Sequence, residues 1–190
     1  DEVLHQSQLW QKSGLNLRVA VNLSARHLQD EQLADKVQAA MRQWDTEPRL
    51  LEFEITESAI MANPLRAMET LTRLSAMGVS LAIDDFGTGY SSLIYLKQLP
   101  VNEIKIDKSF VMDMLENNED LVIVRSTVDL AQNMGRRVVA EGVETPAALE
   151  TLIQLGCEMA QGFHISRPVT ASVLTAWLRQ SQWQPARGTA

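Results

Sequence analysis

The sequence predicts an α/β fold, a parallel (β/α) barrel of the TIM type that is incomplete here, with about six strand–helix units. Three observations predict it. Amphipathic stretches end at glycine and are followed by short apolar strands, an alternation that implies right-handed crossovers and a parallel sheet. Nearly every strand carries a polar residue at its carboxyl end, as in a barrel; an open doubly wound sheet gathers its ligand groups near one switch point. The 190 residues fall about 60 short of a complete barrel of about 250, close to two strand–helix units. The missing units are expected before residue 1.

Each element has a local reason. Val3, Leu4, Leu9 and Trp10 recur at helical spacing, and the chain opens on Asp1 without an initiator Met, as expected of a piece of a longer protein. Gly14, Gly78, Gly135 and Gly156 each suit the left-handed cap that closes a helix. They precede the apolar runs Leu17–Asn22, Leu81–Asp85, Val138–Glu141 and Met159–Gln161. Leu51–Thr56 and Glu103–Asp107 bring the strands to six. Asn63-Pro64 and Thr145-Pro146 put a capping side chain before a proline at the first helical position, and Asp30 and Thr170 are expected caps elsewhere. From Tyr90 through Leu93, Ile94, Leu96 and Leu99 the apolar spacing is helical and stops at Pro100, so core packing is the plain reading. Residues 179–190 show no periodicity and are expected to be a disordered tail; residues 1–178 form the domain.

Composition narrows the function. Hydrophobic residues at 45% and charged residues at 22% are those of a globular domain with one core. No apolar stretch approaches the roughly 20 residues of a membrane span. Cys157 has no partner for an internal disulfide, which suits a reducing cytoplasm, and His5, His27 and His164 lack zinc-ligand spacing. A net charge of −7 argues against DNA and other nucleic-acid binding.

The segment Asp84-Asp85-Phe86-Gly87-Thr88-Gly89 ends an apolar strand with two adjacent carboxylates. At a pocket such a pair needs a counter-charge, most simply a divalent cation; in isolation it also reads as a surface turn bonded to local amides. The other polar strand ends are equally ambiguous alone. Asn22 could start a turn, Glu52 and Glu54 could mark one wet face, and Glu141 could cap the next helix, although Thr145 suits that role better. Lys105 lies between Ile104 and Ile106, and because helices cover a barrel's outside it is expected to point inward to carboxylates.

Together, Val21-Asn22-Leu23-Ser24, Glu54-Ile55-Thr56-Glu57, the Asp84-Asp85 segment, Ile104-Lys105-Ile106-Asp107, Ala140-Glu141-Gly142-Val143-Glu144 and Gln161-Gly162-Phe163 resemble the EAL family, in order, over residues 3 to 178. The resemblance implies a bacterial phosphodiesterase that hydrolyses the second messenger cyclic di-GMP to linear pGpG with two Mg2+ or Mn2+ ions. It implies that Asn22, Glu54, Asp84 and Asp85 are metal ligands and that Lys105 lies near the attacking water and phosphate. Glu141 would be a metal ligand or a general base, Gln161 would orient water or metal, and Glu57 would steady the Asp84–Ser92 loop. It further implies a homodimer through the helix after that loop, upstream GGDEF or sensor domains, and a cytoplasmic location, with or without a membrane anchor in the parent.

One departure stands out. The Glu-Ala-Leu segment that names the family, with its metal-binding Glu and a nearby phosphate-binding Arg, does not occur in the 190 residues. The fragment itself is therefore expected to be inactive. A second reading is a non-catalytic cyclic di-GMP-binding, regulatory or dimerisation module, and a third is an unrelated Mg2+ enzyme on the same barrel.

Overall fold

A computed structural model describes residues 1–89 and 93–180. It contains six parallel strands, β1 (Val19–Asn22), β2 (Leu51–Thr56), β3 (Ser80–Phe86), β4 (Glu103–Ile106), β5 (Arg137–Ala140) and β6 (Met159–Ala160). They pair in the order β1-β2-β3-β4-β5-β6. A doubly wound sheet must reverse its strand order somewhere; this one never does, so it is the wall of a half-barrel. The helices are α1 (Glu2–Lys12), α2 (Ala25–Leu28), α3 (Leu33–Gln43), α4 (Glu57–Met61), α5 (Pro64–Ala76), α6 (Leu93–Gln98), α7 (Lys108–Asp113), α8 (Asn118–Asn133), α9 (Pro146–Gln154) and α10 (Ala171–Gln180), with a 3-10 turn at Pro48–Leu50.

Side-chain alternation divides the strands between two environments. Phe53, Ile55, Leu81, Ile83, Ile104, Ile106 and Val138 join Leu71 and Leu74 of α5 and Val124 and Val128 of α8 in one buried core. The alternate positions Arg18, Ala20, Glu52, Glu54, Glu103 and Lys105 line a cavity of about 630 Å³ on the inside of the half-barrel. The core holds the strands from outside, leaving the inner face free for polar chemistry.

Local expectations hold at most helix ends. The Asn63 side chain accepts from the Arg66 amide and Thr145 from the Ala148 amide, each ahead of a proline in the first turn. Gly14, Gly78, Gly135 and Gly156 all have positive φ. Three details differ. Leu9 is 46% exposed, and α1 instead buries Leu4, Ser7 and Trp10; the Trp10 indole donates to Thr175 Oγ1 at 2.8 Å, tying α1 to α10. Asp30 is not the α3 cap. That position is Gln32, whose amide Asp30 accepts while pairing with Lys36. Arg179 and Gln180 continue α10, and the rest of the expected tail, like Tyr90, Ser91 and Ser92, lies outside the described residues. No described helix is long and apolar enough to cross a membrane.

Candidate active site

Parallel pairing brings the strand ends level. Asn22 pairs in register with Glu54, Thr56 with Asp84, and Ile106 with Ala140. The amide of Glu141 donates to Ile106 O and that of Gln161 to Ala140 O. All six strand ends thereby share one rim.

The register slips between β3 and β4. Ile83 pairs with Ile104 but Phe86 with Ile106, one extra residue on β3. Asp85 absorbs it with φ of 52°, a left-handed conformation rare outside glycine that marks sites where surrounding structure holds the backbone. Adjacent strand residues ordinarily point to opposite faces; the bulge re-aims one of them. Asp84, Asp85 and Glu141 accordingly each present an oxygen to a common point, all within 4.8 Å of one another.

Lys105 is the hub of this rim. Its ammonium lies 2.6 Å from Glu54 Oε1, 2.6 Å from Glu141 Oε1 and 3.0 Å from Asp84 Oδ1. The residue is 3% exposed. Burial alone would push the ammonium's pKa down, but hydrogen bonds to Glu141 and Glu54 and the charge of Asp84 raise it well above its ordinary value. The lysine is charged throughout the physiological range. Burial raises Glu141, against the pull of Lys105. Burial, the charge of Asp84 and a hydrogen bond shared with Asp107 raise Asp85.

Of the residues singled out in the sequence, Glu54, Asp84, Asp85, Lys105 and Glu141 converge. Asn22 and Gln161 stand exposed at the same rim, and their side chains make no hydrogen bond to the cluster among the described residues. Glu57 is buried at the start of α4, and among the described residues neither carboxylate oxygen has a hydrogen-bond partner. A Cβ on Gly89 would come within 2.6 Å of its Oε2, so the carboxylate abuts the segment after Asp85; residues 90–92 lie outside the described residues.

Asp107 went unassigned in the sequence. It caps α7 by accepting from the Ser109 amide, and hydrogen bonds from Ser109 lower its pKa against the opposing effect of burial. Its place two residues after Lys105, on the same strand face, was the available signal. The alternative of one wet face at Glu52 and Glu54 does not hold: Glu52 is 4% exposed and ion-paired with Arg18.

The EAL domain model matches residues 1–168. The chain belongs to the EAL domain family. Among curated relatives, the Pseudomonas aeruginosa bifunctional diguanylate cyclase/cyclic di-GMP phosphodiesterase MucR is 44% identical over 177 residues, covering 93% of this chain and 26% of that protein. A solved structure of the PaMucR phosphodiesterase in complex with c-di-GMP superposes with a TM-score of 0.88 at 44% identity, over 91% of this chain and 70% of that one. A calcium and cyclic di-GMP complex of Klebsiella pneumoniae BlrP1 matches with a TM-score of 0.81 at 29% identity, over 89% of this chain and 43% of that one. The chain spans between 21% and 26% of the length of the first curated relatives it matches. In this EAL domain the bulged acid pair and the lysine hub occupy the carboxyl ends of the strands, where a TIM barrel builds its site.

Proposed function

We propose that this EAL domain belongs to a cyclic di-GMP phosphodiesterase that opens the cyclic dinucleotide to linear pGpG. The observation that carries the reading is the convergence of Glu54, Asp84 and Glu141 on buried Lys105, in a chain whose relative MucR is named for this activity. Hydrolysis adds a water oxygen to one phosphorus as one ester P–O bond breaks, and the departing oxygen takes up a proton.

Two divalent cations, Mg2+ or Mn2+, would polarise the phosphodiester and make water a stronger nucleophile. The donor set fits them: carboxylate and amide oxygens suit hard cations, and buried Asp84 Oδ1, although 3.0 Å from the Lys105 ammonium, makes no well-aligned hydrogen bond among the described residues. Asn22, Glu54, Asp84, Asp85 and Glu141 would hold the ions. Lys105 would offset the charge of the carboxylates and face the phosphate, Gln161 would orient water from the rim, and Glu141 would ligate metal or accept a proton. Glu57 would support the loop after Asp85. Calcium in the BlrP1 complex supports a divalent cation at such a site.

The reading extends to the parent protein. A GGDEF or sensor domain is supported by the small share of MucR that this chain spans and by that protein's second named activity. A homodimer is supported by Leu93 and Ile94 of α6, which are 60% and 69% exposed. A cytoplasmic location is supported by the single cysteine. The test is cyclic di-GMP hydrolysis by the longer protein in Mg2+ or Mn2+. Glu54→Gln and Asp84→Asn, which remove anionic ligands while nearly keeping shape, are expected to lower the rate on the order of 10²-fold or more. Wild-type turnover in both variants would overturn the metal assignment.

A further inference from the structure

Beneath the rim lies a second charged layer that the proposed reaction does not use. Glu52 and Glu103 precede Glu54 and Lys105 by two residues on the same strands, so they occupy the same inner face one pleat lower, roughly 6.5–7 Å down. Both are buried, at 4% and 2% exposure. Arg18 bridges them, with Nη1 3.1 Å from Glu52 Oε2 and Nη2 2.9 Å from Glu103 Oε2. Arg137 adds a second guanidinium, 3.2 Å from Glu103 and 3.9 Å from Glu52. Two acids and two bases make this floor neutral.

The layer above is not neutral. Glu54, Asp84, Asp85 and Glu141 face one lysine, leaving net negative charge for a cation to take up. Arginine cannot shed its proton in a protein, and its planar fork binds carboxylates in competition with metals. Arg18 lines the same cavity as Glu54 and Lys105. Without its two acids, Arg18 would be left in a cavity whose remaining lining carboxylates are Glu54 of the rim and Glu158.

We propose that Glu52 and Glu103 are positioning residues that sequester Arg18 and Arg137 at the barrel floor, keeping guanidinium charge away from the carboxylates that bind the divalent cation. The proposal rests on the metal reading given above. A floor that only braced the strands would change folding stability on loss of one charge and leave the Mn2+ affinity of the folded protein unmoved. A sequestering floor is repaired when the freed arginine is removed as well.

The test is a Mn2+ titration of the longer protein that carries this chain, with free Mn2+ read by electron paramagnetic resonance and folding by circular dichroism. Glu103→Gln is expected to weaken Mn2+ binding by about tenfold or more. The double variant Glu103→Gln/Arg18→Met is expected to recover to within about threefold of wild type. Glu52→Gln makes the same charge change at the other acid and should weaken binding in the same sense. Unchanged binding in Glu103→Gln, or a folded double variant no better than the single one, would overturn sequestration and leave the metal site standing. Loss of fold in both single variants would assign the acids to structure and also overturn it. Wild-type protein that takes up no Mn2+ at millimolar concentration would overturn the metal site itself, and the proposal with it.

Discussion

Asp85 shows what one residue costs the fold for the sake of its site. It sits at φ of 52° with its carboxyl raised by burial, by Asp84 and by the hydrogen bond shared with Asp107. A carboxyl whose folded pKa exceeds its unfolded one, about 3.9, contributes fully below that value and loses the contribution as pH rises through the folded one. At neutral pH the metal-free protein therefore carries Asp85 as a destabilising charge. Asp85→Asn, whose side chain tolerates the left-handed backbone, is expected to melt above wild type at about pH 7 without metal, the gap closing toward about pH 4. Adding Mn2+ should stabilise wild type more than the variant, because Asn is a weaker ligand for a hard cation. Thermal melts at the two pH values, with and without Mn2+, check both; a gap that widens on acidification would remove Asp85 from the balance.

Among elements, β3 and α4 must act together. The bulge at Asp84-Asp85 is backed by the Glu57 carboxylate, which is buried against Gly89. Its place in the first turn of α4 favours a negative charge at the helix N-terminus. Truncating Glu57 empties the space behind the loop without touching the proposed ligands. Glu57→Ala is expected to shift residues 84–89, and a displacement of about 1 Å at reacting groups can cost on the order of 10²-fold in rate. A crystal structure of the longer protein carrying Glu57→Ala, with metal and alongside its turnover, reads both effects. An unchanged loop with unchanged turnover would strip Glu57 of its role.

For the whole molecule the decisive quantity is how much of a barrel the site needs. The described sheet has β1 and β6 as its ends, and terminal strands offer unpaired backbone groups. No Glu-Ala-Leu segment lies within the 190 residues. The chain alone is expected to produce little or no pGpG, while a longer protein that supplies such a segment upstream hydrolyses cyclic di-GMP. Assaying the two side by side, with the product identified by chromatography, tests this. Substantial turnover by the purified 190-residue chain would show its own residues to suffice, and binding without hydrolysis in the longer protein would favour a receptor.

The sequence by itself determined the succession of strands and helices, because the forces that set it are local. Asn63-Pro64 and Thr145-Pro146 start helices through their own caps, and runs such as Leu81–Ile83 are apolar enough to require burial. It also determined which residues end the strands, and hence the membership of the rim, since parallel pairing aligns carboxyl ends. Tertiary structure decided the contacts. Asp84 and Asp85 share a site through a register slip with β4 that no local pattern encodes. Lys105 meets carboxylates from three other strands. Glu52, alternating with apolar neighbours like any solvated acid, is instead buried because Arg18 on β1's approach and Arg137 on β5 reach its level. A charge is buried only where partners from elsewhere in the chain are brought to it, and only the closing of the sheet brings them.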